Sequence, residues 1–392
     1  MEFTFPAETE QWRSELRAFL KAELPPGFEG DDDFFDNEEQ MAFARQFTKK
    51  LGAKRWFAPA WPEKYGGGGK TQIEQMILNE ELAYHRAPSG GRLFTIGITG
   101  PTMLVHGSEE QKERYLPGMA AGETWYCQGF SEPGSGSDLA SMETKAVRDG
   151  DDYVVNGQKI WTSNGHVADR MILLARTNPE VPKHKGISAF VVDMKTTGIT
   201  VQGIPNIADR HDVTPVFFED VRVPAKDLMG GLDNGWYVAT TTLDFERSNI
   251  ARAITAHKNV DRMANYLRDR AAAGQPVSPS FRLEVADRAV ETSVCELLSF
   301  VVVSIQARGG VPNMEASMCK MYGSELSQRI ASTKMHLAGM YGQERKPRGL
   351  QEQNSINAAM EYMQVVPATI AAGSSEIQRN IIATRGLGLP RG

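Results

Sequence analysis

The chain has 392 residues, too many for one small core, so two or three domains are expected. Its 41% hydrophobic and 23% charged residues are ordinary for a soluble globular protein, and a formal charge of −6 argues against the broad basic face of a nucleic-acid binder. No apolar run in the sequence reaches the roughly 20 residues a bilayer-spanning helix needs, so no membrane association is expected. The opening "MEFTFPAETEQW" has neither a basic n-region nor an apolar h-region, and a cytoplasmic protein is expected. Cys127, Cys295 and Cys319 lack paired or metal-ligand spacing and read as reduced, buried thiols. The seven histidines show no metal spacing either, so no metal is expected.

In chain order, "ETEQWRSELRAFLKAEL" places Trp12, Leu16, Phe19 and Leu20 on one helical face. A Pro/Gly-rich loop, "APAWPEKYGGGG", follows, and "TQIEQMILNEELAYH" then repeats the pattern through Ile73, Met76, Ile77 and Leu82. "GSEEQKERYLPGM" has a Ser108 cap and an acidic first turn, and is expected to stop at Pro117. Near residue 124 the period changes. Tyr153 to Val155 and Lys159 to Thr162 read as two strands of a hairpin turning at Asn156-Gly157. "RMILLART", "ISAFVVDM" and "PVFFEDVRVP" are further β-rich runs, consistent with an antiparallel barrel or sandwich. From Gly235 the helical period returns. The expected fold is α+β and multidomain: an N-terminal helical domain (1–123), a middle antiparallel β-barrel-like domain (124–234) and a C-terminal helical domain (235–392).

Residues 124–165, "TWYCQGFSEPGSGSDLASMETKAVRDGDDYVVNGQKIWTSNG", combine Ser131-Glu132-Pro133 with Gly136-Ser137-Asp138, then Asn156, Gly157, Lys159 and Trp161. This ordered set closely resembles the flavin-binding segment of the acyl-CoA dehydrogenase family. "WPEKYGG", "GSEEQKERYLPGM", "FFEDVRVP" and residues 368–385 extend the resemblance over nearly the whole chain. It implies the family's fold, with a C-terminal four-helix bundle, and FAD as cofactor. By position, Gln128, Phe130, Ser131, Ser137, Thr162 and Ser163 contact the flavin or its tail, and Trp161 stands as a wall beside the ring. Glycines at 134 and 136 would let the backbone and Ser137 approach a pyrophosphate or the pantetheine arm. By composition alone the same stretch reads as a Gly/Ser-rich turn beside a core tryptophan.

The resemblance also draws cofactor contacts from the C-terminal domain of a neighbouring subunit, here Arg270, His336 and Gly339, with Ser374 and Glu376 on the adenosine side. The chain departs from the pattern there. Ala273 replaces a Phe, His336 stands where Gln is usual, and Met340 replaces a glycine. Arg270 can still neutralise a diphosphate. These departures leave room for a partner chain that supplies part of the site.

The family's reaction removes a proton α to a thioester carbonyl, which requires a carboxylate within hydrogen-bond reach and a stabiliser for the enolate. In many members the carboxylate lies just before Gly-Thr near the C-terminus; here Ala372 holds that position, before Gly373. "LDFERSNIAR" instead resembles the D-x-E-R stretch that carries the base in isovaleryl-CoA dehydrogenase and its like, pointing to Glu246. Glu246 also falls on an apolar helical stripe with Ala239, Leu243, Ile250, Ala253 and His257, where a carboxylate should have a raised pKa. The competing reading is a buried Glu paired structurally with Arg247. Asp244 and Arg247 match residues that hold CoA, against the alternative of two solvated charges. In the family the enolate is stabilised by the backbone N–H at the position of Ala372 together with a flavin ribityl hydroxyl, and Ala372 keeps that N–H; Gly373 beside it matches a substrate-binding position.

Arg92, in "SGGRLFTIGITGP", lies near the acyl pocket by family position, although a solvated loop arginine is the expectation. The resemblance implies dehydrogenation of an acyl-CoA, with a bulky, branched or steroid-side-chain acyl group suited to the small residue at 372. It further implies an electron-transfer flavoprotein as acceptor and a homotetramer, or a heterotetramer with a related subunit. An acyl-CoA oxidase, an oxidase of another carbon acid, and a non-catalytic subunit remain as competing readings.

Overall fold

The amphipathic runs before residue 124 form α1 (Ala7–Glu23), α2 (Glu38–Ala53), α3 (Gln72–Tyr84), α4 (Gly100–His106) and α5 (Glu109–Ala120). Strands follow as β1 (Tyr126–Gly129), β2 (Lys145–Asp149), β3 (Asp152–Ser163), β4 (Arg170–Arg176), β5 (Ile187–Asp193), β6 (Ile199–Val201), β7 (Val213–Pro224) and β8 (Leu228–Met229). Helices return as α6 (Gly235–Phe245), α7 (Ile250–Ala272), α8 (Pro279–Ala307), α9 (Met314–Ala338), α10 (Leu350–Gln353), α11 (Ala358–Gln364) and α12 (Ser375–Ile381). This computed structural model describes residues 5–26, 28, 30, 37–245 and 250–390, without the side chains of 243–245. The described residues group into two compact units. One is drawn from Glu23–Gln75 and Pro88–Glu246, the other from Met1–Ala22, Met76–Ala87 and Arg247–Gly392.

In the first unit the strands form one sheet ordered β6-β7-β3-β2-β4-β5-β8, with β1 beside β4. The ladder is antiparallel except where β4 meets β1 and β2, which run parallel to it. Met171 to Ala175 of β4 and Ile187 to Val192 of β5 are buried throughout, which is why both segments read as continuous apolar runs. Each large apolar side chain among them contributes about 1.5–3 kcal/mol when fully buried. Arg45 of α2 stacks 3.9 Å over the Trp125 ring and binds Asp169 at 2.6 Å, while Asp169 accepts the Trp125 N–H at 2.8 Å. These contacts fix the start of β1 against both α2 and the loop before β4.

Two turn signals behave differently from expectation. Asn156-Gly157 does not close a hairpin, because β3 runs through it as one strand. The reversal lies instead at Gly150, with φ +62, between β2 and β3. Asn156 and Asp220 of β7 exchange two hydrogen bonds of 2.9 Å, and the register slips there, so the pair makes a bulge. Gly157 is obligatory, with φ +146 and a would-be Cβ 2.7 Å from Thr144 Cα. At α5, the capping box between Ser108 and Gln111 forms, but the helix continues past Pro117 to Ala120. The proline carbonyl still accepts the Ala121 N–H at 2.9 Å, so the last turn closes despite the missing donor.

In the second unit α7, α8 and α9 enclose a core that includes Ala253, Met263, Leu267, Val285, Cys295, Leu326, Ile330 and Leu337. Trp12, Leu16, Phe19 and Leu20 of α1 are buried as their spacing predicts, and Arg13 Nη1 binds the buried Glu80 at 2.8 Å and Glu81 at 3.0 Å. Cys127, Cys295 and Cys319 are buried thiols, none joined in a disulfide.

Contrary to the expectation that no apolar segment is long enough to span a bilayer, α8 meets that criterion by length and composition. The cause is that α8 is apolar on two faces. Val285, Cys295, Val302 and Val303 point into the bundle, whereas Leu283, Val290, Val294, Leu297 and Val301 form a second, exposed stripe. Three of its carboxylates are engaged within the unit: Glu284 with His336, Glu291 with Arg288 and Arg329, and Glu296 with His257.

Candidate functional site

In the sheet-bearing unit the Ser-Glu-Pro loop is held against β3 from beneath. Lys159, fully buried, donates to Glu132 Oε1 at 2.7 Å and to the Phe130 carbonyl at 3.1 Å. Glu132 also accepts the Glu143 and Thr144 N–H groups at 2.6 and 3.0 Å. Burial would raise the Glu132 pKa, but the Lys159 charge and these donors outweigh it and hold the carboxyl below its usual range. The Ser131 carbonyl accepts the Ile160 N–H at 2.9 Å. Gln128, Phe130 and Ser131 are thereby set beside Trp161, Thr162 and Ser163. The motif's Glu and Lys are the fastening of the loop; the inward alternation of Tyr153, Val155 and Lys159 along β3 is the signal for that role.

Trp161 is 60% exposed and sits at a break in the β3–β7 register with φ +59, a left-handed conformation that a bulky residue rarely adopts. Thr162 Oγ1 and Gln128 Nε2 are buried without a hydrogen-bond partner, a costly arrangement that a polar ligand edge would relieve. Cβ atoms added at Gly134 or Gly136 would meet nothing within 4 Å, so no protein neighbour requires glycine there. Ser137 lies exposed between these glycines and the short helical turn at Leu139–Ser141. A flat aromatic wall, two buried polar atoms without partners and an uncrowded glycine loop fit a planar heterocycle with polar edges and a phosphate-bearing tail.

In the helical unit Arg270, in the last turn of α7, donates to the Leu337 carbonyl at 3.2 Å, which brings it to the C-terminal end of α9 with His336 and Gly339. Its Nε is buried without a hydrogen-bond partner. His336 is exposed, with Nδ1 3.0 Å from Glu284. Gly339 ends α9 with φ +59. A second cluster lies at residues 365–376. Ser374 caps α12 by accepting the Ile377 N–H at 3.3 Å. Glu376 is exposed in its first turn, its carboxyl held below the usual range by its own backbone N–H and the Ser374 hydroxyl. Ala372 and Gly373 both have positive φ, +57 and +83.

Arg92 departs from the expected solvated loop residue. It is 8% exposed, donates to the Phe57 carbonyl at 3.0 Å, and precedes a π-helical turn, Leu93–Thr99. Burial pushes its guanidinium down to about 10. A long arginine stem pulled onto a neighbouring carbonyl leaves no periodic mark in a Gly-rich stretch. Glu246, Arg247 and the Asp244 side chain lie outside the described residues; of their stripe, Ala239, Ile250 and Ala253 are buried.

Family models match nearly the whole chain: the acyl-CoA dehydrogenase N-terminal domain at 6–123, the middle domain at 127–221 and the C-terminal domain at 233–387. Acyl-CoA dehydrogenase FadE26 of Mycobacterium tuberculosis is 32% identical, covering 100% of this chain and 99% of its own. The rat mitochondrial long-chain specific acyl-CoA dehydrogenase is 30% identical over 97% of this chain and 86% of its own. Among solved structures, the Tcur3481-Tcur3483 steroid ACAD superposes with a TM-score of 0.87 at 31% identity, covering 100% of both chains. The ChsE4-ChsE5 complex of M. tuberculosis gives 0.85 at 31% identity, also covering 100% of both chains. With all three of its domains matched in order, the chain belongs to the acyl-CoA dehydrogenase family of flavin-dependent oxidoreductases.

Proposed function

We propose that this enzyme uses FAD to convert an acyl-CoA thioester to its trans-2-enoyl-CoA. The observation that carries the reading is the exposed, left-handed Trp161 beside the partnerless Thr162 Oγ1 and Gln128 Nε2. Gln128, Phe130, Ser131, Thr162 and Ser163 would hold the polar edge of the ring, and Trp161 would cover its face. Ser137 and the 134–136 loop would receive the tail, Arg270, His336 and Gly339 would serve a neighbouring subunit's flavin at its diphosphate half, and Ser374 and Glu376 would contact the adenosine side. When bound, FAD supplies the acceptor for the β hydride at N5.

Glu246 is the proposed base, taking the α proton. It matches the family's D-x-E-R stretch, and Ala372 offers no carboxylate. Asp244 and Arg247 would bind the CoA moiety. The backbone N–H of Ala372 would face the thioester oxygen, where negative charge grows as the proton leaves, with Gly373 beside it at the substrate. The methyl side chain at 372 leaves space for a bulky, branched or steroid-side-chain acyl group, and the similarity to a steroid ACAD supports this class. We further propose an electron-transfer flavoprotein as acceptor and a cytoplasmic site of action, with a homotetramer or a heterotetramer with a related subunit; the similarity to a complex of ChsE4 with ChsE5 supports a second kind of subunit. The departures at Ala273, His336 and Met340 favour a partner chain that completes the adenosine side.

The test is anaerobic bleaching of the flavin absorbance by straight-chain, branched and steroid-side-chain acyl-CoAs. Bleaching with a bulky acyl group, with little oxygen uptake in air, is expected. No bleaching by any thioester contradicts the reading, and rapid peroxide formation assigns an oxidase instead.

A further inference from the structure

Ala372 carries a left-handed backbone, and for an alanine that conformation costs free energy unless its surroundings impose it. The imposing group is on α9. Lys320 is 5% exposed, and its ammonium donates to the Gly373 carbonyl at 2.7 Å and to the Ala368 carbonyl at 3.2 Å. One cation thus ties together two carbonyls on either side of the turn that contains Ala372. The rest of the loop is held by neutral amides. Gln378, fully buried, reaches the Ala372 and Gly373 carbonyls at 3.2 Å each, and Gln328 reaches those of Val365 and Val366 at 3.3 Å. Lys320 sits on a stripe of small buried residues, Ala316, Ser317, Gly323 and Ser324, which lets α9 approach the loop closely.

We propose that Lys320 is a positioning residue for the reaction: by clamping the Ala368 and Gly373 carbonyls it holds Ala372 left-handed and aims the 372 backbone N–H at the thioester oxygen. The inference rests on the acyl-CoA reading above. A charge-assisted hydrogen bond is stronger than a neutral one, so the lysine, more than either glutamine, keeps the strained turn in place. Preorganisation of this kind matters because a donor acts on the developing oxyanion only if it is already aimed.

The test compares the acyl-CoA that bleaches the wild-type flavin fastest with its thioether analogue, in which CH2 replaces the carbonyl. Affinities are read from the flavin spectral perturbation and turnover from the reductive half-reaction. Wild type should prefer the thioester. Lys320→Met should lose at least about tenfold of that preference and a similar factor in reduction rate, with thioether affinity unchanged. Lys320→Arg, which keeps the charge but spreads it over a planar fork, should fall between them. Adding Ala372→Gly to Lys320→Met should recover part of the preference, since glycine needs no clamp to stay left-handed. Wild-type preference in Lys320→Met overturns the proposal, as does equal loss for thioester and thioether. Should Lys320→Met be insoluble, wild-type preference in Lys320→Arg overturns it. Failure of the acyl-CoA reading would show earlier, as a wild type that no thioester bleaches.

Discussion

Lys159 Nζ lies 2.7 Å from Glu132 Oε1, and both groups are removed from solvent. The pair joins the Ser-Glu-Pro loop to β3 across the whole of β2 in sequence. Removing one partner leaves an uncompensated buried charge, so Lys159→Met should destabilise the protein by roughly 3–5 kcal/mol. Combining Lys159→Met with Glu132→Leu should cost less than Lys159→Met alone. Urea denaturation of wild type and the two variants checks this; a double variant less stable than Lys159→Met would contradict it.

Trp161 keeps a left-handed backbone at an exposed site, so its conformation and its side chain can be tested separately. Trp161→Gly should be more stable than Trp161→Ala by about 1 kcal/mol, because alanine inherits the left-handed cost and glycine does not. Both should bind flavin more weakly than wild type. Thermal melts of the apoproteins and flavin titrations give the two readouts.

How far these features were legible in the sequence depended on whether local periodicity or tertiary contact decided them. The helix of Trp12, Leu16, Phe19 and Leu20 and the apolar runs of β4 and β5 were readable because burial alone sets their pattern. Asn156-Gly157 was misleading because Asp220, 64 residues away, holds the asparagine that would otherwise close a turn. The reach of Arg92 to Phe57 and of Lys320 to Gly373 likewise depends on carbonyls distant in the chain. The proposed role of Trp161 as a flavin wall comes from motif resemblance alone; its left-handed backbone, at the break in the β3–β7 register, has no signature in the residue type.

His257 of α7 meets Glu296 of α8 at 2.8 Å, and this hydrogen bond raises its pKa against the lowering effect of partial burial, with Asp261 assisting. A group whose folded pKa is raised contributes stability that is fully present below its unfolded value, near 6.5. That contribution is lost as pH rises through the higher folded value. The His257 contribution to melting temperature should therefore fall from mildly acidic to mildly alkaline pH, and the difference in melting temperature between wild type and His257→Gln should shrink over that range. An unchanged pH profile in the variant would remove His257 as its source.

The exposed stripe of α8 suits burial in an oligomer better than contact with water, since contiguous exposed apolar surface marks an interaction site. Replacing Val290 and Leu297 together with glutamate should shift the assembly to smaller species in light scattering, while the bundle retains its helical circular dichroism. Unchanged mass would place the subunit interface elsewhere.

In the proposed reaction Glu246 removes the α proton while Ala372 supplies only backbone. The decisive measurement is the rate of anaerobic flavin bleaching in Glu246→Gln, using the best acyl-CoA of the wild-type panel. The rate should fall by about 10²-fold or more, with flavin content and acyl-CoA affinity retained. A Glu246→Gln enzyme that bleaches as fast as wild type would contradict the assignment.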